Sequence, residues 1–145
     1  MVAAQYPLTL EQGTSLRLTL TFTHALVDVD GAVVLDPETG YPQPGDPYDF
    51  TGCTARMDVR FKVKDALPVF SLMDGDGIEL GGTAGTVVVS MTADRTELLG
   101  LPHTPRIITA AVYDLEITYP SGDRSRLIEG PITIRPSVTR SNDDE

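Results

Sequence analysis

Apolar and polar residues alternate with a period of two along several short segments of this chain. The clearest segment covers residues 55–64, where five apolar residues alternate with five charged residues without interruption. In a strand, alternation puts one set of side chains on each face, whereas a helix would scatter both sets around its circumference. The segment is therefore typical of an antiparallel sheet with one face in the core and the other in water.

Further short strands are predicted within residues 6–13, "YPLTLEQG", and at residues 16–22, 68–72, 77–80, 86–91, 111–119 and 124–129. Glycine-rich turns such as "DGDG" and "GGTAG" separate several of them, and "PSGD" joins the last two as a hairpin. Pro131 suits a bulge or the start of an edge strand, and the pattern then continues through Ile132 and Ile134. One short helix is predicted in "TADRTELLGLP", with Thr92 as the N-cap and Gly100 as the C-terminal stop.

Together these elements predict an all-β fold: an antiparallel β-sandwich, immunoglobulin-like or related, forming a single domain over residues 1–145. The predicted core consists of the inward members of the alternating segments. They are Leu18, Leu20, Met57, Val59, Phe61, Val87, Val89, Tyr113, Leu115 and Ile117. A short acidic tail, residues 141–145, follows the last strand.

Residues 26–50 interrupt the regular series of strands. This segment contains four prolines and three glycines, and its six acidic residues are accompanied by no Lys or Arg. It is predicted to be a long hairpin or loop insertion with at most one short strand, around residues 32–35. Long insertions of this kind are often functional, which makes the segment a candidate for gripping a partner. The alternative is a passive, solvated excursion of the chain.

Composition narrows the range of functions. The net charge is −10 and the pI is about 4.5, which argues against binding to nucleic acid, because phosphate contacts require a Lys/Arg surface. No apolar run is long enough for a membrane span, and the N-terminus does not resemble a secretory signal. The single cysteine, Cys53, cannot form an internal disulfide, which suits folding in a reducing cytoplasm.

Candidate chemistry is sparse in this sequence. Neither His24 nor His103 has a Cys or a second His at metal-ligand spacing, and the chain contains no G-x-S-x-G nucleophile motif. "DVDG" and "DGDG" resemble the start of a calcium loop, but the twelfth position, which needs an acid, holds Thr39 and Gly85. The sequence therefore predicts no catalytic residue, no metal and no cofactor.

Four phrases of the sequence resemble a known family: "LEQGTSLRLTLTF", "DFTGCTARMDVR", "IELGGTAGTVVVSMT" and "YDLEITYPSGDRSRLIEGPITIRPSVTR". They are similar to the N-terminal domain of baseplate upper proteins of tailed bacteriophages, a β-sandwich that docks a fibre or receptor-binding element onto the tail. The resemblance covers most of the chain except residues 26–48. It implies a structural, non-enzymatic role in which loops or termini contact neighbouring subunits.

The resulting functional prediction is a virion building block, made in the bacterial host cytoplasm and acting as an adaptor in the tail, baseplate or collar. Its predicted partners are other virion proteins and symmetry copies of itself, with no nucleic acid and no membrane. Capsid decoration is the nearest variant. A carbohydrate-binding module is the alternative from another class, although the chain lacks Trp and has few aromatic residues to stack on sugars.

The charge distribution predicts where such contacts form. In a ring or lattice, the acidic insertion and the termini of one copy can lie across a basic strand face of the next copy. The predicted interface residues are Asp28, Asp30, Asp36, Glu38, Tyr41, Asp46 and Tyr48 on the insertion, with Arg56, Arg60, Lys62 and Lys64 on the complementary surface.

Overall fold

A computed structural model describes residues 3–97 and 109–136 of the chain. Within these residues it contains eleven strands, one 3-10 turn (Gly82–Ala84) and one short helix, α1 (Ala93–Glu97). The strands are β1 (Ala4–Gln5), β2 (Leu8–Glu11), β3 (Leu16–Thr21), β4 (Thr23–Ala25), β5 (Pro44–Pro47), β6 (Thr54–Arg60), β7 (Phe70–Asp74), β8 (Gly77–Leu80), β9 (Thr86–Met91), β10 (Thr109–Thr118) and β11 (Arg124–Arg135). The prediction of an all-β chain is confirmed.

Nine of the strands form one large curled sheet. Its order is β1-β11-β10-β6-β7-β8-β9-β3, and β2 also pairs with β11, along the same edge as β1. Most neighbours are antiparallel; the parallel pairs are β1 and β2 with β11, and β7 with β8. β4 and β5 form a separate two-stranded sheet.

The inner face of the curled sheet holds the apolar core. Of the ten predicted core residues, seven are buried: Met57, Val59, Val87, Val89, Tyr113, Leu115 and Ile117. Leu18 and Leu20 are partly buried and pack against this cluster from the edge strand β3. The alternating pattern therefore placed the core correctly on β6, β9 and β10.

Phe61 is the exception, and its predicted burial is wrong. The strand stops at Arg60, and the Phe61 side chain is 44% exposed. Pairing of β6 with β10 ends at Arg60, and residues 62–65 then form a turn in which the Asp65 carboxylate accepts the Lys62 N–H. Alternation continues through Val63 in the sequence, but without a partner strand it no longer marks a sheet face.

The predicted hairpin over residues 111–129 is present as β10 and β11. Its turn is closed by the Tyr119 N–H, which donates to the Asp123 carbonyl, and Gly122 has the positive φ of 92° that such a turn favours. A β-bulge in β11 leaves Leu127 outside the register with β10, so that Leu127 and Ile128 are both buried. The bulge lies four residues before Pro131.

Pro131 lies inside β11, so its predicted place at a bulge or at the start of an edge strand is wrong. A proline fits here because the neighbouring edge is broken between β1 and β2, at Tyr6. The Tyr6 N–H donates to the Glu129 carbonyl. The Tyr6 carbonyl has no N–H to accept from Pro131, because proline lacks that group. The Tyr113 hydroxyl donates to that carbonyl instead, and Gly130 permits the close approach, since a Cβ there would lie 2.7 Å from the Tyr6 oxygen.

Helix α1 begins as predicted. The Thr92 hydroxyl accepts the Arg95 N–H, which is the hydrogen bond of an N-cap residue. The buried Thr96 hydroxyl accepts the Gly13 N–H and joins the helix to the turn before β3. The predicted stop at Gly100 and the acidic tail 141–145 lie outside the described residues.

Candidate interaction surfaces

The predicted insertion contains an ordered hairpin, residues 23–47, which we call the arm. β4 and β5 form its base, and bridges at Val27–Val33 and Leu35–Pro42 extend the pairing beyond it. The prediction of a long hairpin is confirmed, and residues 26–50 contain one short strand as predicted, but that strand is β5 at Pro44–Pro47 rather than around residues 32–35.

Three extended segments of the arm are joined by a closed ring of backbone hydrogen bonds. The Leu26 N–H donates to the Gln43 carbonyl (2.9 Å), the Gln43 N–H to Val34 (2.9 Å), and the Val34 N–H to Leu26 (2.8 Å). Because each segment is bonded to both others, no segment can move independently without breaking two of these bonds. The arm is therefore a preformed element rather than an irregular loop.

Two of the predicted interface acids shape the turns of the arm. The Asp28 carboxylate accepts the N–H groups of Asp30 and Ala32, at 2.9 and 3.0 Å. The Asp36 carboxylate accepts those of Glu38 and Thr39, at 2.8 and 3.3 Å. Aspartate favours turns because its short side chain reaches its own backbone. These two residues have a local structural role in addition to their charge.

Four aromatic residues anchor the arm to the curled sheet. The Phe22, Tyr48 and Phe50 rings form a cluster with centroids 5.9–6.3 Å apart, and His24 stacks on Tyr48 at 4.3 Å. Phe50 is fully buried, while burial raises the pKa of the half-buried Tyr48, as does the nearby Tyr119. Tyr48, which was predicted to contact a partner, thus lies mainly in this cluster.

The outer surface of the arm combines apolar and acidic side chains. Its large apolar residues are exposed by 39–102%: Leu26, Val27, Val29, Val33, Leu35 and Tyr41. The exposed acids Asp30, Glu38 and Asp46 lie among them, and the arm contains no Lys or Arg. Contiguous exposed apolar surface with a polar border is characteristic of interaction sites.

The outer face of β6 presents Arg56 and Arg60, but both already have a partner. Their guanidinium groups bind the two oxygens of Asp58, at 2.9 and 3.0 Å, and the Ser71 hydroxyl donates to the same carboxylate at 2.7 Å. Burial opposes ionisation of Asp58, but these contacts outweigh it and lower its pKa. β6 therefore offers a different outer face from the basic one predicted from its sequence alone.

Neighbouring strands add further charges to this face. Asp58, Asp114 and Glu129 lie directly opposite one another on β6, β10 and β11. Burial raises the pKa of Asp114; the nearby carboxylates also raise it, whereas Arg126, 3.2 Å away, lowers it. We call this surface the outer face: Arg56, Asp58, Arg60, Asp114, Glu116, Arg124, Arg126 and Glu129, lining a trough of about 990 Å³.

Lys62 and Lys64 lie in the segment that follows β6, and Val63 between them also lines the trough of the outer face. This segment, residues 61–67, is called the β6–β7 loop; within it Val63 is 82% and Leu67 is 81% exposed. Within residues 3–97 and 109–136 neither lysine forms an ion pair. The arm leads through Phe50 to the start of β6, so the arm and this loop lie at opposite ends of that strand.

The eleven predicted interface residues thus separate into three places: the arm with its root, the outer face, and the β6–β7 loop. Asp58, the partner of Arg56 and Arg60, lies on the same strand and was visible at an outward position of the alternating segment. Asp114 and Glu116 were visible in the same way, but their position opposite Asp58 and Arg56 required knowledge of which strands are neighbours.

Other candidate chemistry remains isolated. Cys53 is partly buried, and burial raises the pKa of its thiol, with a further contribution from Asp49. A raised pKa lowers the thiolate fraction that a nucleophile needs. Within the described parts of the chain no three His, Cys, Asp or Glu side chains are grouped so as to hold a metal ion.

Comparison of the sequence with protein-family models and with curated proteins finds no match. Among the residues that the structure describes, no helix is both long enough and apolar enough to cross a membrane.

Proposed function

We propose that this protein is a non-enzymatic structural subunit of a tailed-phage virion, acting as an adaptor in the tail, baseplate or collar. The observation that carries the proposal is the arm, an ordered hairpin that exposes six large apolar side chains among acidic ones. An isolated soluble domain gains nothing from holding such a surface rigid in water. A subunit that assembles with others uses it to bury apolar area at a contact.

The fold that we propose for the scaffold is a β-sandwich. In this layout the sheet would fold over at the β7–β8 turn, where "DGDG" joins the two strands. One layer would comprise β7, β6, β10 and β11 with β1 and β2, and the other β8, β9 and β3. Core residues from both groups belong to one apolar cluster, which includes Val59 and Leu115 as well as Val87 and Val89. This layout agrees with the resemblance to baseplate upper proteins.

The arm projects from one end of this scaffold without being needed to complete the apolar core. Its connection is limited to the aromatic root and to backbone bonds at Phe22, which donates to Gly85 and accepts from Tyr48. Gly85 is buried at this junction with a φ of 71°, and a Cβ there would lie 2.6 Å from the Phe22 oxygen. A rigid junction of this kind fixes the direction in which the arm meets a partner.

The proposal is tested by shortening the arm. Residues 27–42 are replaced with Gly-Gly, which joins Leu26 to Gln43, two residues that are already hydrogen-bonded. The variant should keep its β-rich circular dichroism and its melting temperature, since the aromatic root and β4–β5 remain. It should be lost from particles purified from the phage lysate and analysed by quantitative mass spectrometry. The control is Thr9→Ala, an exposed residue of β2 at the end of the sheet that lies away from the start of β6.

Absence of the intact protein from purified particles would overturn the proposal. Its position in an imaged particle would also separate a tail, baseplate or collar adaptor from a capsid decoration protein. Normal incorporation of the shortened variant would show that the arm is not the attachment element.

A further inference from the structure

The arm and the β6–β7 loop are complementary surfaces on one chain. The arm exposes apolar side chains among carboxylates, and it contains no Lys or Arg. The β6–β7 loop exposes Phe61, Val63 and Leu67 together with Lys62 and Lys64. Both surfaces therefore have apolar area to bury, and their net charges are opposite in sign.

Within residues 3–97 and 109–136, no hydrogen bond or ion pair joins the arm to the β6–β7 loop of the same molecule. The arm root is connected to the first residue of β6, and the loop follows its last residue. Seven residues of strand hold them roughly 20 Å apart, at about 3.3 Å per residue. At physiological ionic strength, dissolved salt screens exposed charges from one another beyond about 8 Å, which is much less than this separation. The carboxylates of the arm and the lysines of the loop remain available to another molecule.

We propose that the arm of one copy of this protein binds the β6–β7 loop of the next copy. The contact joins different surfaces on its two partners, and repeating it produces a closed ring or an open chain. This inference rests on the proposed function in naming the partner of the arm, but it concerns an interaction that the purified protein makes alone. The receiving surface is the loop rather than the outer face, because Arg56 and Arg60 are already bound to Asp58.

Self-association of the full-length protein tests the inference. Sedimentation velocity is measured from roughly 10 µM to 1 mM protein, a range in which small transient interfaces associate. The intact chain should form concentration-dependent oligomers, and salt should weaken them. Lys62→Glu/Lys64→Glu should weaken association at least tenfold. Asp30→Lys/Glu38→Lys should have the same effect, since neither of these side chains makes a hydrogen bond or ion pair within residues 3–97 and 109–136.

Mixing the two variants provides the decisive measurement. Each variant alone carries like charges at the exchanged positions of its two surfaces, whereas a contact between one variant and the other again joins opposite charges at those positions. Association should therefore return only when both are present. Arg17→Glu/Arg135→Glu is the matched control, because it makes the same change in net charge as the lysine variant at exposed positions elsewhere. It should leave association unchanged.

Val29→Asn provides a second variant that leaves folding undisturbed, because this side chain is fully exposed at the tip of the arm. It should reduce association, because it removes apolar area from the contact without changing the charge of the arm. A protein that stays monomeric at every concentration would overturn the inference, as would association that is insensitive to both charge variants. If the protein self-associates by this contact but is absent from purified particles, the inference is supported and the proposed function is wrong. If it is present in particles but does not self-associate by this contact, the proposed function stands and the inference is wrong.

Discussion

The arm and the outer face both carry several carboxylates, yet they use them in opposite ways. On the outer face, each carboxylate lies beside an arginine. The Asp58 carboxylate binds Arg60, for example, and the Asp114 carboxylate is 3.2 Å from Arg126. On the arm, carboxylates accept backbone N–H groups in turns or face solvent. Charges paired within the subunit stabilise the subunit, whereas charges without a counterion inside it remain available for a partner.

The difference also extends to apolar residues. Beneath the outer face, the inward side chains of β6 and β10 are buried, with Val59 and Ile117 at 0% exposure. On the arm, Val29 is fully exposed and Tyr41 is 73% exposed. Hydrophobic residues therefore have different roles in the two regions. In the sheet they stabilise the fold, and on the arm they are available for association with a partner.

The largest expected effect compares two leucines. Leu115 is 1% exposed in the sheet, and Leu115→Ala should lower the free energy of unfolding by about 2–5 kcal/mol, from lost burial and the cavity that remains. Leu35, on the arm, is 54% exposed, and Leu35→Ala should cost less than about 1 kcal/mol. Urea unfolding followed by circular dichroism measures both. Similar losses would show that the arm belongs to the core.

A second pair of variants compares two aspartates. Asp58→Asn removes the charge that binds two arginines and should cost about 2 kcal/mol, because hydrogen bonds to charged groups are strong where partly buried. The lowered pKa of Asp58 gives a stability contribution that is present above about pH 4 and lost as the pH falls through the folded-state value. The difference in the free energy of unfolding between Asp58→Asn and the intact protein should therefore shrink in acid.

Asp30→Asn on the arm is the matched control for that measurement. Its side chain has no charged partner within the described residues, so the change in the free energy of unfolding should stay within about 0.5 kcal/mol at pH 7. A loss at Asp30 as large as that at Asp58 would contradict the distinction between the two regions.

Phe61→Ala tests where the sheet ends. A core phenylalanine would cost about 3–5 kcal/mol on truncation, but a 44% exposed one should cost less than about 1 kcal/mol. The same variant should weaken self-association if the β6–β7 loop receives the arm. If Phe61 is a core residue, the variant should lose stability in chemical unfolding. If Phe61 is an interface residue, the variant should keep its stability but associate more weakly in sedimentation velocity.

The smallest expected effect is at Asp114. Its raised pKa means that folding favours the protonated form, so this contribution to stability is present below about pH 4 and lost as the pH rises through the folded-state value. Asp114→Asn should therefore raise the melting temperature slightly at pH 7 and leave it unchanged at pH 3. A lower melting temperature at pH 7 would show that the ion pair with Arg126 outweighs the burial.

Much of the fold was predictable from local pattern. The bounds of β9 at residues 86–91 and of β8 at 77–80 were predicted as observed, and Thr92 was recognised as a helix cap. These features depend on side-chain alternation and on hydrogen bonds between residues near in sequence. Both are properties of short segments, so the sequence contains them directly.

Other features depended on residues that are distant in the sequence. Alternation through Val63 suggested a longer strand, but β6 stops where β10 stops pairing with it. Pro131 is tolerated inside β11 because Tyr113, eighteen positions earlier, supplies a hydroxyl to the Tyr6 carbonyl. In neither case does the local sequence state which backbone group lies opposite.

By itself, the sequence determined an all-β chain with one acidic insertion and with charged outer positions on its strands. Only the tertiary structure decided which of those charges meet. It faced Asp58 with Asp114, set Arg126 3.2 Å from Asp114, and put the root of the arm and the lysines after β6 at opposite ends of that strand, roughly 20 Å apart at about 3.3 Å per residue. The physical reason is that electrostatic pairing depends on distance through space, and strand order sets that distance.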